Sequence, residues 1–196
     1  MKKMINCKEC NGHYVVRESE YGVFAGCSNF PKCKSKMKLH ELVGEFILKY
    51  GLGIYKWEKN CWKCSKGIPV FSYYLGYELE NLDEYFSYYI PAPGIGVLTF
   101  IDRILLEKYS TIQIRYSKTT DTNYIANVCP HCNSLQGYNY VVEDPHEIFI
   151  NLFHQKNMEE KFLLERILVK DVKPILQDLK EFYDLPKIMK IVLPMR

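Results

Sequence analysis

Cys7-Lys8-Glu9-Cys10-Asn11-Gly12-His13-Tyr14-Val15-Val16-Arg17, followed shortly by Gly22-Val23-Phe24-Ala25-Gly26-Cys27-Ser28-Asn29-Phe30-Pro31-Lys32-Cys33, is the stretch whose reading decides the fold. A two-residue gap between cysteines turns the chain into a tight knuckle that aims both sulfurs at one point, and two knuckles complete a tetrahedral thiolate shell. Between them, His13 to Arg17 has strand propensity, Tyr21-Gly22 can turn, and Val23 to Gly26 leads back. The reading is a hairpin clamped by a metal ion. So small a module buries too little surface to fold alone, so metal binding supplies much of its folding free energy.

The remaining cysteines repeat the theme. Cys61-Trp62-Lys63-Cys64 and Cys129-Pro130-His131-Cys132 are two further knuckles, and none of the chain's eight cysteines is left over. Each is followed within a few residues by a glycine, Gly67 or Gly137, as a returning strand requires. The 64 residues between Cys64 and Cys129 are no barrier to pairing, because each doubling of a loop costs only about 0.6 kcal/mol. The competing arrangement is a pair of half-sites completed by a second subunit. Two four-cysteine zinc sites are therefore expected, on Cys7, Cys10, Cys27 and Cys33 and on Cys61, Cys64, Cys129 and Cys132. Four thiolates leave no open position for water or substrate, which makes both sites structural. His131 lies between ligands, where a side chain points outward, and His13, His40, His146 and His154 lack metal-like spacing; all five are read as surface or core residues.

Composition bounds the rest. The chain of 196 residues is 47% hydrophobic and 25% charged, enough for one good core with a small satellite module. No stretch reaches the roughly 18 apolar residues of a membrane span. No export signal is visible, and cysteines kept reduced favour metal ligation over disulfides; the reading is a soluble, cytoplasmic protein with no membrane partner. Met1 to His40 holds eight basic residues against three acids, whereas the remainder is net negative by two. A basic balance confined to one end suits a polyanion there, or simply a solvated lysine-rich surface.

Over residues 5–38 the cysteine spacing, the Gly-x-Phe-x-Gly-Cys-Ser run, the aromatic-Pro-x-Cys second knuckle and Arg17 on the first strand together resemble the four-cysteine zinc finger repeated at the C-terminus of bacterial type IA DNA topoisomerases. The resemblance implies a zinc-ribbon fold and contact with single-stranded DNA. Tyr14, Phe24 and Phe30 are candidate platforms for unstacked bases, with Arg17, Lys32, Lys34 and Lys36 following phosphates; the alternative is that some of these aromatics form the finger's small core. Nothing after Cys33 matches a topoisomerase catalytic region, so the finger is a detached module.

The fold class expected is α+β, an N-terminal zinc ribbon plus a larger mixed domain built around a second, split four-cysteine zinc site. The division is a topoisomerase-type ribbon over 1–38, a linker helix over 39–52 and an α+β domain over 53–196. Leu39 to Tyr50 has helical periodicity with Gly51 as its stop. Strands are expected at Ile54–Glu58, Ile68–Tyr73 and Ile112–Tyr116, and a helix over Thr99–Tyr109. Gly94-Ile95-Gly96 lacks the context of a phosphate loop and reads as a plain loop. Asp144-Pro145-His146-Glu147 opens a helix to about Asn157. Met158–Val169 and Val172–Tyr183 are amphipathic segments, and Lys187–Leu193 is a strand. Tyr88, Tyr89, Arg115 and Tyr116 can serve as core and rim or extend a binding surface. No nucleophile–base pair, paired carboxylates or open metal site stands out, so the expected function is a zinc-dependent, single-stranded-DNA-binding accessory protein without catalysis. The rivals are a protein-interaction or assembly factor with purely structural zinc, whose partner is a protein, and a DNA-processing enzyme with an unrecognised active site.

Overall fold

The computed structural model describes residues 3–73, 94–138, 140–141 and 158–184. Among them the chain forms two compact units, one of residues 3–52 and 168–184, the other of residues 53–73, 94–138, 140–141 and 158–167. The expected helix after Asp144, the strand at Lys187–Leu193 and the tyrosines at 88 and 89 lie outside the described residues.

In the first unit, β1 (Tyr14–Ser19) and β2 (Gly22–Cys27) pair antiparallel from Tyr14↔Cys27 to Ser19↔Gly22, and β3 (Lys36–Met37) adds to β2. Gly22 closes the turn at φ 110°, a left-handed conformation that residues with a Cβ adopt only at a cost. Tyr14, Val16, Ala25 and Cys27 are buried. Helix α1 (Leu39–Tyr50) buries Leu39, Leu42, Val43, Phe46 and Ile47, the stripe its periodicity announces, and stops at Gly51 with φ 72°. Met4 ties the chain's start to this helix, its amide bonded to the Tyr50 hydroxyl at 2.9 Å and its carbonyl accepting from Lys49.

The other partner of α1 comes from far along the chain. A further helix at Lys173–Tyr183, α4 in chain order, packs on α1 with Ile175, Leu179 and Tyr183 inward. Gly44 permits the approach: a Cβ there would stand 2.9 Å from the Val172 side chain. The helix entering from the ribbon is thus one half of a two-helix layer.

The second unit is built from two hairpins, each bent around a knuckle. β4 (Leu52–Asn60) runs into Cys61–Cys64 and returns as β5 (Gly67–Tyr73) in register from Ile54↔Tyr73 to Asn60↔Gly67. β6 (Ile112–Ser117) pairs with β7 (Thr122–Val128), which runs into Cys129–Cys132 and returns as the short β8 (Leu135–Gln136). Helix α2 (Thr99–Lys108) buries Ile101 and Leu105, and with Ile54, Tyr55, Tyr73, Leu98 and Ile112 these make a core of fully buried side chains.

The segment read as amphipathic from Met158 is split between helix α3 (Met158–Phe162) and strand β9 (Leu163–Ile167), which completes a sheet of order β5-β4-β9. Its charges permit a solvated face in either conformation; the open edge of β4 selects the strand.

Candidate metal centres and nucleic-acid face

Both expected cysteine quartets are assembled within single units, and the split quartet closes inside one chain. In each, the four sulfurs lie within 4.8 Å of one another. Cys7 and Cys33 are 3.8 Å apart, Cys10 and Cys27 3.4 Å, Cys61 and Cys132 3.6 Å, and Cys64 and Cys129 3.7 Å. A disulfide needs about 2.05 Å. Sulfurs about 2.3 Å from a central zinc stand about 3.8 Å apart in a tetrahedron. The spacing therefore fits zinc, and each quartet can hold one ion that pins its two knuckles together.

The knuckles share one backbone device. The amide of the first cysteine donates five residues ahead, Cys7 to Gly12 and Cys61 to Lys66 at 2.8 Å and Cys129 to Ser134 at 2.9 Å; Cys27 donates to Ser35 at 3.0 Å across its longer turn. In every knuckle the amide two residues beyond the first cysteine faces that sulfur, at 3.4 Å from Glu9, Lys63 and His131 and 3.3 Å from Asn29. Backbone N–H groups on a thiolate sulfur lower its charge and fix its direction. After the split site's knuckles the chain turns through Ser65 and Asn133, both at φ 58°.

Side chains beyond the cysteines were not foreseen from spacing. Ser134 Oγ lies 3.2 Å from Cys61 Sγ and 3.1 Å from Cys132 Sγ, and Gln136 Nε2 reaches Cys61 Sγ at 3.4 Å from a nearly fully buried position. The Ser35 hydroxyl serves Cys7 in the same way and bonds the Tyr14 hydroxyl at 2.8 Å. The signal was present as a repeated Cys-x-Ser, Cys33-Lys34-Ser35 and Cys132-Asn133-Ser134. Asn127 joins the two hairpins of the split site: its amide oxygen accepts from Phe71 N at 2.8 Å and its Nδ2 donates to Phe71 O at 2.9 Å.

These contacts sort the thiols. Burial pushes Cys7 up, but the Glu9 amide and the Ser35 hydroxyl outweigh it and hold the group at about 6. Burial likewise raises Cys61, and the Ser134 hydroxyl with the Cys64 and Lys63 amides brings it to about 5. For Cys33 and Cys64 the amides of Ser35 and Lys66 pull down, yet burial and the neighbouring thiols win, at about 12 and about 11. Cys7 and Cys61 are thus held low, while Cys33 and Cys64 keep protons that metal binding must displace.

The nucleic-acid candidates divide. Tyr14 is 6% exposed with its hydroxyl on Ser35, so it belongs to the ribbon's core and braces the metal site. Arg17 and Phe24 are cross-strand partners, and the arginine stem crosses Gly26, where a Cβ would stand 2.8 Å from Arg17 Cδ. Its guanidinium donates to Cys27 O at 3.2 Å and lies 5.8 Å from the centre of the Phe30 ring. Phe30 is 59% exposed. Arg17 therefore neighbours Phe24 across the strands and Phe30 in the second knuckle, and Lys32, Lys34 and Lys36 of the same module are exposed. A cleft of about 640 Å³ opens next to Phe24 and Lys36, with Tyr21, Met37, His40 and Tyr183 on its walls.

Residues 4–41 match the family described as the topoisomerase DNA-binding C4 zinc finger. The stretch that decided the fold is therefore a topoisomerase-type zinc finger. A segment of 29 residues is 62% identical to DNA topoisomerase 1 of Mycoplasmoides gallisepticum, covering 15% of this chain and 4% of that protein. No solved structure matches the chain. Among the described residues no helix is long and apolar enough to cross a membrane.

Proposed function

We propose that this protein is a non-enzymatic, cytoplasmic accessory factor that binds single-stranded DNA through its N-terminal finger, with both zinc ions serving structure alone. The observation that carries the reading is that Arg17, its stem across Gly26, is the cross-strand partner of Phe24 and lies 5.8 Å from the ring centre of the exposed Phe30, inside a finger of a family described as DNA-binding. A planar cation beside an exposed ring offers stacking to any base, and the lysines of the same module follow the backbone without reading sequence. Four-thiolate sites have no vacant coordination position, which supports a role without metal-centred catalysis.

Fluorescence anisotropy with labelled single-stranded and duplex oligonucleotides tests the reading. The zinc-loaded chain is expected to favour the single strand, and Phe30→Ala to weaken binding by about 1–3 kcal/mol. Equal affinity for both forms, or no loss in the variant, would count against it. Cleavage or strand passage by the purified chain with magnesium or manganese would overturn the non-catalytic part.

A further inference from the structure

We propose that the second ribbon carries a separate contact for single-stranded nucleic acid, centred on Trp62, with Lys63, Lys66 and Arg115 supplying the charges that meet phosphate. This extends the reading above to a surface outside the finger and rests on it for the kind of ligand.

Trp62 occupies the tip of the first knuckle of the split site and is 56% exposed. Its ring is held, because the indole N–H donates to the Leu135 carbonyl at 2.7 Å and the Trp62 amide donates to Gln136 Oε1 at 3.5 Å. A large aromatic that is both open to solvent and fixed in orientation is a stacking face whose ordering cost is already met before a base arrives. Arg115 anchors to the same short segment: its Nη2 donates to Asn133 Oδ1 at 2.5 Å, two residues before the carbonyl that holds the indole. From Trp62 to Gly67 the knuckle carries two lysines and no acid, and both lysines are exposed. Protein interfaces are depleted of lysine, whereas pinned aromatics flanked by cations are how sequence-tolerant single-strand binders are made. The charge of the knuckle therefore selects a polyanion over a protein.

The chain has two tryptophans, and Trp57 is buried at 7% exposure, out of reach of a stacking base, so quenching by a bound strand reports Trp62 above a constant Trp57 background. The zinc-loaded full chain is titrated with thymine and uracil oligonucleotides while tryptophan emission and the anisotropy of a label on the oligonucleotide are followed together. Emission is expected to quench along the binding curve, Trp62→Phe to retain most of the affinity, and Trp62→Ala to lose about tenfold. The finger variant Arg17→Ala/Phe30→Ala is expected to keep the quenching, since the second contact does not need the first. Quenching that survives there when the finger variant leaves affinity unchanged removes the finger reading and keeps this one. Unchanged emission at saturation overturns the proposal. So does Trp62→Ala with wild-type affinity and two zinc ions, or Lys63→Gln/Lys66→Gln that loses zinc but not oligonucleotide. If the Trp62 variants bind less than two zinc ions, Lys63→Gln/Lys66→Gln with full zinc must weaken binding, and wild-type affinity there overturns it as well.

Discussion

The first ribbon and the second solve one coordination problem with opposite economies of chain. In the first, sixteen residues separate Cys10 from Cys27, and the hairpin between the knuckles buries mainly Tyr14, Val15, Val16 and Ala25. In the second, 64 residues separate Cys64 from Cys129, and the hairpins are joined by Asn127 and rest on Tyr55, Tyr73, Leu98, Ile101, Leu105 and Ile112. Loop closure grows only as the logarithm of length, so separation is not what distinguishes them. What differs is the apolar core standing behind the sulfurs. The local ribbon is therefore expected to need its metal to hold a shape, and the split ribbon only to finish one.

Metal removal probes that difference most strongly. A strong chelator is expected to unfold the first hairpin, since structural zinc contributes on the order of 10 kcal/mol to a module this small. Strands β4 to β7 should keep amide protection. Hydrogen exchange read by mass spectrometry on the zinc-loaded and stripped chain checks this, and protection lost equally in both hairpins would erase the contrast. Next in size is Asn127→Leu, which strands the buried N–H and C=O of Phe71; a loss of about 2–4 kcal/mol is expected at two unsatisfied groups. Urea unfolding of the zinc-loaded variant measures it, and the first ribbon's zinc should stay bound.

The serine pair sharpens the comparison through pH. Ser134→Ala and Ser35→Ala each remove a hydroxyl that favours the thiolate, so Cys61 and Cys7 should rise from about 5 and about 6. A thiolate with a depressed pKa stabilises the folded, metal-ready state above its unfolded value, and the benefit is lost as pH falls through the folded one. Raising that pKa therefore moves acid-induced zinc release to higher pH. Losing a hydrogen bond to a ligating sulfur typically costs about 10- to 100-fold in metal affinity, and Ser134, which touches two sulfurs, should show the larger shift in a chromophoric chelator assay.

The two ribbons also differ in how far they could be read from the chain. The first was legible nearly whole, since its turn at Gly22, its strands and the helix ending at Gly51 all follow from local pattern. Both quartets were legible because knuckle spacing is a local geometric demand. The pairing of α4 with α1 was not, because a helical period says that a face is buried and not against what. The same limit hid β9, whose strand state comes from the open edge of β4. Among the candidate nucleic-acid contacts, residue type alone could not separate Tyr14 from Phe30. Tyr14 stands in β1 with Val15 and Val16 buried beside it and its hydroxyl on Ser35, whereas Phe30 stands in the turn of the second knuckle and is open to solvent.

The smallest expected effect bears on which ribbon meets phosphate. The side chains of Lys32, Lys34 and Lys36 are exposed and make no hydrogen bond or ion pair among the described residues, so replacing one by glutamine should leave folding and zinc content unchanged. For a single strand each phosphate contact contributes about 0.7 to the slope of log affinity against log salt. One replacement should therefore shallow the slope by about that amount, and three together by about 2. The same experiment on Lys63 and Lys66 should shallow it by about 1.4 if the second ribbon shares the strand's charge. A slope moved only by the first set confines the electrostatics to the finger, while one moved by both means that the split ribbon also holds backbone.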